Sequence, residues 1–461
     1  MPIEPKIFKA YDVRGKYPEE LNEEAAFEIA AAVGKHFGPR AKIVVGRDGR
    51  LSSPSLYKAV IRGLANNELG IRNEVLGIRG KKKNSIIHNS KFIIHKAGLI
   101  TTPMLYFLVN KLKADGGIMV TASHNPKEYN GLKVVGKNAR PMSGLEIYSI
   151  LRKYENIRNY ENGNKKNSYF SNISYVRNYV DFLKKFLKPK RKLKVVFDCS
   201  NGTTGRILRQ LTTNDKRLTA VIINDKPDGN FPGHGPNPLA EGATRQLERE
   251  VKKHQADLGV IFDADGDRVF FLDNRGRWID PNETAYILTR LFRPPYVTGI
   301  VSSWRLKGDK AFVSRVGHYF FKKLMREKKA SLGLEHSGHY YFKYFFYCDS
   351  GIFAAIQIMN FVSGLKTDLA SWLDALSLYH RSGELNFKVE DKEKILEKVE
   401  RLFKKSAKKI IKMDGLTMEF SDYWFNLRPS NTENLLRLNM EATDKNILKR
   451  ELQNLKRLII L

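Results

Sequence analysis

Cysteine is nearly missing from this chain of 461 residues, which has only Cys199 and Cys348. Two thiols cannot build a disulfide framework, and neither stands in a metal-type spacing with the other, so neither a stapled secreted scaffold nor a zinc ribbon is expected. Long hydrophobic runs are missing as well. No uncharged apolar segment approaches bilayer length, which argues against a membrane partner. The opening Met1-Pro2-Ile3-Glu4-Pro5 lacks the apolar stretch of a signal peptide, so a soluble, cytoplasmic protein is expected. Acidic residues are in short supply: 49 Asp and Glu against 80 Lys and Arg leave a net charge of +31.

The basic residues are spread along the chain, with clusters at Lys81-Lys82-Lys83 and Lys188-Pro189-Lys190-Arg191-Lys192. No RNA-binding aromatic signature, zinc-finger spacing or basic zipper accompanies them. A nucleic-acid partner is therefore not expected, and the charge reads as solvated surface that also suits an anionic substrate. A hydrophobic fraction of 42% is ample for packed cores. Strand and helix signals alternate. Lys42-Ile43-Val44-Val45-Gly46 reads as a strand, and Ser53-Pro54 opens a helix to near Asn66, with Ser as N-cap and Pro at N1. The polar stretch from Asn156 to Asn172 reads as a linker. Leu193 to Asp198 and Asp257 to Phe262 are strands of a second block, and a third carries helical stretches at 318–329 and 351–363. A last block opens on Leu385 to Val389, followed by a charged helix from Lys392 to Lys408. The alternation implies mainly parallel sheets in the first three blocks.

Four motifs carry chemistry. Thr121-Ala122-Ser123-His124-Asn125-Pro126 follows the apolar segment Gly116 to Val120 and ends in a turn-forming Asn-Pro, so Ser123 can present its hydroxyl at a strand end. Asp263-Ala264-Asp265-Gly266-Asp267-Arg268 also follows an apolar strand. Its three carboxylates at alternate positions can converge on one hard cation, and oxygen ligands point to Mg²⁺. An EF-hand loop is rejected because it wants Gly where Arg268 stands, whereas a haloacid-dehalogenase-type phosphatase with Asp263 as nucleophile remains a rival. Glu335-His336-Ser337-Gly338-His339 places donors and acceptors within a span suited to sugar hydroxyls. Arg428-Pro429-Ser430-Asn431-Thr432-Glu433-Asn434 offers a guanidinium, hydroxyls and backbone N–H groups to an anion. A second phosphate site so remote in sequence from Ser123 suggests a ligand that carries phosphate at one end and reacts at the other.

In this order the four motifs resemble the α-D-phosphohexomutase family, in its phosphomannomutase/phosphoglucomutase branch. The resemblance runs from Tyr11-Asp12-Val13-Arg14-Gly15 to Glu441-Ala442. It implies a heart-shaped enzyme of four domains: three related mixed α/β domains at 1–156, 157–276 and 277–383, and a C-terminal α+β domain of TATA-box-binding-protein-like type at 384–461. By that likeness Ser123 is the phosphoserine, and Asp263, Asp265 and Asp267 hold Mg²⁺ together with an oxygen on Ser123. His124 and Arg268 stabilise the moving phosphoryl group. Glu335, Ser337 and His339 read the sugar, and Arg428, Ser430, Asn431 and Thr432 clamp the other phosphate. Tyr11 and Arg14 enter the cleft, Lys133 matches a lysine proposed for proton transfer, and His318 lies near the sugar. For Lys133 and Arg14, electrostatic binding of phosphate is the alternative role. The implied reaction interconverts the 1- and 6-phosphates of mannose or glucose through a hexose 1,6-bisphosphate, which also serves as activator. A monomer or small homo-oligomer is expected, and a non-catalytic basic binding protein on the same fold is the alternative from a different class.

The metal loop Asp-Ala-Asp-Gly-Asp-Arg and the stretch Pro227-Asp228-Gly229-Asn230-Phe231-Pro232 favour the hexose branch over phosphoglucosamine mutase. Three departures from the family pattern stand out. Leu334 occupies a usual Gly position, and with a side chain barred from φ > 0 conformations it predicts a shifted sugar loop. A basic, Asn-rich stretch from Gly80 to Lys96 reads as an insertion, and the segment from Trp304 to Val316 reads as a shortened helix connection.

Overall fold

A computed structural model describes residues 3–75, 93–154, 169–170, 175–213, 215–308, 310–376, 379–430 and 435–460. Three of its four sheets share one plan. In the first, Lys42–Arg47 lies between two parallel neighbours, Ile93–Leu99 and Gly116–Val120. Tyr129–Gly136 returns antiparallel beside Gly116–Val120, and Val13–Lys16 adds a further antiparallel strand. The second sheet repeats that order with Leu218–Ile223, Leu193–Asp198, Leu258–Phe262, Val269–Leu272 and Trp278–Ile279. The third repeats it with Ala311–Ser314, Tyr296–Gly299, Leu332–Leu334, Tyr340–Phe342 and Cys348–Asp349. Each sheet is therefore mixed rather than mainly parallel: α/β crossovers build one half and tight returns the other.

The shared plan positions the site. In every copy a strand next to the centre turns back on its antiparallel partner through a short loop. Those loops are 121–128, 263–268 and 335–339, and they carry three of the four motifs. The preceding strands Gly116–Val120 and Leu258–Phe262 are buried along their whole length, which explains their continuous apolar sequence.

Two helices, Thr102–Lys111 and Gly351–Ser363, are apolar on nearly all sides because they run through the middle of a core shared by the first three domains. Met104, Phe107, Phe197, Phe262, Phe342 and Phe353 belong to that core. The first backbone N–H of each helix has no partner within the helix. Thr102 N donates to Asp265 O (3.0 Å) and Gly351 N to Gly266 O (3.1 Å), so both helix starts fasten the 263–268 loop.

The fourth sheet is antiparallel throughout, ordered His380–Lys388, Leu435–Ala442, Tyr423–Pro429, Leu416–Glu419, Lys409–Ile411. The helices Lys392–Phe403 and Lys445–Ile460 pack Val399, Leu455 and Ile459 against Met418, Phe425 and Leu438.

Several sequence expectations change in detail. The helix from Ser53 runs to Val75, since Glu68, Leu69, Arg72 and Glu74 are good helix formers that carry it past Asn66 and Gly70. The charged helix stops at Phe403 because the chain turns into the strand Lys409–Ile411. Most of the expected linker lies outside the described residues, but Tyr169–Phe170 adds a short strand beside Ile93–Ile94. Of the expected insertion, 80–92 lie outside the described residues, while Ile93 to Lys96 belong to a regular strand of the first sheet. Among the described residues between Tyr296–Gly299 and Ala311–Ser314 there is one 3₁₀ turn, Trp304–Leu306. Trp424 and Ile411 of the last domain pack there with Ile300, Val301, Trp304, Val313 and Val316. No described helix is long and apolar enough to cross a membrane.

Candidate active site

The three loops converge. Ser123 has φ +52, a left-handed conformation that is uncommon for a side-chain-bearing residue and turns its hydroxyl toward the second domain. Ser123 Oγ donates to Asp263 Oδ2 (2.7 Å), and Asp267 Oδ1 lies 3.4 Å away. Its backbone N–H donates to Thr121 Oγ1 (2.9 Å), which in turn bonds Asp48 Oδ2 (2.8 Å). His124 Nδ1 lies 3.3 Å from the Ser123 hydroxyl. Burial, then the charges of Arg268 and Arg14, push His124 well below the usual histidine range.

Asp263, Asp265 and Asp267 are buried and bring carboxylate oxygens within 4.8 Å of one another. Thr102 Oγ1 donates to Asp265 Oδ2 (2.5 Å), whereas Asp265 Oδ1 is buried without a hydrogen-bond partner. Burial and repulsion from Asp267 and Asp265 push the Asp263 carboxyl well above the usual range. Crowded oxygens, an orphaned acceptor and a carboxyl that resists ionising make a donor set that fits a hard divalent cation.

Lys133 Nζ is bonded to Asp265 Oδ2 (3.1 Å) and to Asp267 Oδ2. Burial disfavours its charge, but the two carboxylates outweigh that and raise its pKa, so Lys133 is held as a cation. Arg14 is likewise a fixed cation. It grips Asp12 through Nε (3.0 Å) and Nη2 (2.9 Å) and reaches Asn125 Oδ1 through Nη1 (2.6 Å). As placed, neither is poised to accept a proton; both put positive charge beside the Ser123 loop, the electrostatic alternative of the two roles considered from sequence.

The third loop docks on the second. Arg268 and His339 form an antiparallel bridge, and Val269 N donates to Gly338 O (3.1 Å). His339 Nε2 stands 3.3 Å from Asp267 Oδ1 and Nδ1 is 2.9 Å from Ser337 Oγ. Glu335 accepts from Gly317 N (2.8 Å) and Tyr341 OH (2.5 Å), which ties the 335–339 loop to the loop of His318. Leu334 takes no left-handed conformation in this loop. Leu334 is extended in its strand, paired with Tyr340 and Thr298, and Gly338 (φ +86) takes the left-handed turn instead. His336 points behind the loop, 3.1 Å from Asn282 Nδ2.

His318 is buried with neither ring nitrogen hydrogen-bonded, 3.9 Å from Asp12 Oδ2, and burial pushes it below the usual histidine range. Tyr11 lies beside it with its ring tilted (centroids 5.7 Å apart), donates to Val316 O (3.1 Å) and is pushed up to about 12 by burial. In the fourth domain, Arg428 Nη2 rests on Glu384 Oε2 (2.9 Å) while its Nε is buried without a hydrogen-bond partner. Ser430 ends the adjoining strand and bonds Leu435 through its backbone (2.8 Å), whereas Asn431 and Thr432 lie outside the described residues.

The sequence offered little reason to notice Asp48, Thr102 and Arg50. Arg50 is fully buried and spends its guanidinium on the carbonyls of the Ser123 loop. Their only signal is polarity inside strand and helix starts that otherwise read as core.

Known proteins carry the same organisation. The phosphoglucomutase/phosphomannomutase models match in order: α/beta/alpha domain I at residues 5–74 and 84–161, domain II at 174–276, domain III at 295–379, and the C-terminal domain at 384–458. A phosphomannomutase of Methanocaldococcus jannaschii is 37% identical over 98% of this chain and 97% of its own length. A phosphomannomutase of Escherichia coli K12 is 34% identical over 94% of each. The crystal structure of a phosphoglucomutase/phosphomannomutase family protein from Burkholderia thailandensis superposes with a TM-score of 0.83 at 27% identity, covering 99% of this chain and 97% of that one. The chain is a mutase of four α/β-type domains and belongs to the phosphoglucomutase/phosphomannomutase family.

Proposed function

We propose that this phosphohexomutase interconverts the 1- and 6-phosphates of mannose or glucose by way of a phosphoserine at Ser123 and a hexose 1,6-bisphosphate. The observation that carries this is the Ser123 hydroxyl, set 2.7 Å from Asp263 at the edge of a buried triad of carboxylates. Mg²⁺, held by Asp263, Asp265, Asp267 and an oxygen on Ser123, would neutralise charge on the transferring phosphoryl group.

The side chains do the rest. The phosphoryl group leaves Ser123 Oγ as a sugar hydroxyl oxygen bonds to phosphorus, and that hydroxyl gives up its proton. His318, held neutral by burial and 3.9 Å from Asp12 Oδ2, is suited to take it. Arg14, Lys133 and Arg268 surround the reacting oxygens with fixed charge, and His124 donates a hydrogen bond. Glu335, Ser337 and His339 hold the sugar hydroxyls while Arg428, Ser430, Asn431 and Thr432 grip the resting phosphate. The bisphosphate then turns, and its other phosphate returns to Ser123.

The test is turnover of mannose 1-phosphate and glucose 1-phosphate to their 6-phosphates, with Mg²⁺ and a trace of glucose 1,6-bisphosphate, for wild type and Ser123→Ala. Wild-type turnover that disappears in the variant is expected and ranks the two sugars. Full activity in Ser123→Ala sinks the proposal, and release of inorganic phosphate by that variant would transfer the nucleophile's role to Asp263. A clear preference for glucosamine phosphates would move the chain to the phosphoglucosamine branch.

A further inference from the structure

The stretch Pro227 to Pro232 has no place in the chemistry above, yet it reaches out of the second domain onto the back of the Ser123 loop. It is anchored at home: Asp228 N donates to Asn201 O (2.9 Å), Gly233 N to Asn201 Oδ1 (3.0 Å), and His234 Nε2 lies 3.1 Å from Asp198 Oδ2. Its tip lies against the first domain. A Cβ on Gly229 would fall 2.5 Å from Leu51 N and 2.9 Å from Arg50 C, so only glycine allows this approach. Beside it Phe231, buried and held at φ +51, turns its ring to the Arg50 guanidinium, 5.3 Å from centroid to Cζ.

Arg50 is what that ring covers. All five of its side-chain N–H groups have acceptors. Nε donates to Asp48 Oδ2 (3.1 Å), Nη1 to Pro126 O (2.6 Å) and Tyr129 O (3.0 Å), and Nη2 to Ser123 O (2.7 Å) and Asn125 O (2.6 Å). Asp48 closes the circuit by accepting from Thr121 Oγ1, the group that receives the Ser123 N–H. One planar fork thus fixes four carbonyls from Ser123 to Tyr129. A lysine has three donors on a flexible stem and cannot span them.

We propose that Arg50 and Phe231 are positioning residues for phosphoryl transfer. Arg50 holds the Ser123 loop in its left-handed conformation, and Phe231 seals Arg50 from water, so that seating of the second domain, which brings the metal carboxylates, also sets the nucleophile. The proposal rests on Ser123 as the phosphoryl carrier. It explains why a loop that touches no substrate needs glycine at 229 and an aromatic ring at 231.

The test measures kcat, KM and the Ser123 phosphate content after incubation with glucose 1,6-bisphosphate and Mg²⁺, with thermal melting as the check on folding. Misplacement of a nucleophile by about 1 Å costs on the order of 100-fold in rate, so Arg50→Lys is expected to lose about 100-fold in kcat and Phe231→Ala about 10-fold, with KM nearly unchanged. Phosphate content should fall with kcat, and Phe231→Tyr should restore both. If Phe231→Ala fails to fold, Phe231→Leu keeps the apolar cover while removing the aromatic face. A folded Phe231→Ala or Phe231→Leu with wild-type kcat and full phosphorylation overturns the proposal, as does a rise in KM with kcat unchanged. Ser123→Ala run in parallel separates the two claims. If it stays active, the phosphoserine reading fails; if it is dead while Phe231 variants work normally, only the positioning claim fails.

Discussion

Around Ser123 the side chains are bonded to one another across three domains: Thr102 and Lys133 of the first meet Asp265 and Asp267 of the second, and His339 of the third meets Asp267. The fourth domain presents the opposite picture. Arg428 leans on Glu384, a partly exposed carboxylate that it shares with Arg437 (3.3 Å), and Arg428 Nε is buried without a hydrogen-bond partner. On the proposed function the contrast follows from two tasks. Transfer of a phosphoryl group depends on placing reacting atoms to a fraction of an ångström, so its groups are locked before substrate arrives. A clamp must take hold of one phosphate, release it and take the other, so its guanidinium rests on an acceptor that an incoming phosphate can replace.

Breaking the locked side should cost turnover rather than binding. Asp267→Asn removes a carboxylate from the triad and the partner of Lys133 and His339, and kcat is expected to fall by at least about 1,000-fold with little change in KM. A KM effect of similar size would show that the triad serves binding instead. Breaking the clamp should do the reverse: Arg428→Met loses a charged hydrogen-bond donor and raises KM by about 10- to 100-fold, with kcat within several-fold of wild type. Steady-state kinetics on the two variants check both statements.

Acid should weaken the locked side first. His124, His318 and His336 are all pushed below the usual histidine range, in each case chiefly by burial, and all three lie in the first or third domain. Below about pH 6.5 the unfolded chain binds protons that these folded sites refuse, so stability falls as pH drops from about 7.5 to 5.5. A lower melting temperature at the acid end is expected, and His318→Gln should flatten that dependence. The smallest effect sharpens the clamp: Glu384→Gln weakens the resting partner of Arg428, and KM should fall by about threefold at most, since a partly exposed ion pair is weak.

Much of this contrast could be read along the chain. Ser123, the three aspartates, Glu335-to-His339 and Arg428 stand in short contiguous motifs; each of the first three motifs is one loop at the end of one strand, and Arg428 lies in the strand Tyr423–Pro429. Arg50 and Phe231 could not be recognised that way. Their meaning lies in a contact between two domains, and neither residue type at its own position signals a partner far along the sequence. Leu334 could not be judged from sequence for a related reason. A glycine position in a motif says nothing about φ until the strand pairing is known, and here the left-handed turn belongs to Gly338. The mixed sheets were hidden too, since a tight antiparallel return leaves the same apolar strand signature as a parallel crossover.

The central claim is that Ser123 carries the phosphoryl group in a site locked in advance. Peptide mass spectrometry of the enzyme incubated with glucose 1,6-bisphosphate and Mg²⁺, before and after a chase with hexose monophosphate, tests it most directly. A single phosphate on the peptide containing Ser123, lost on the chase, is the predicted result. Turnover with phosphate on any other residue, or on none, would contradict the account.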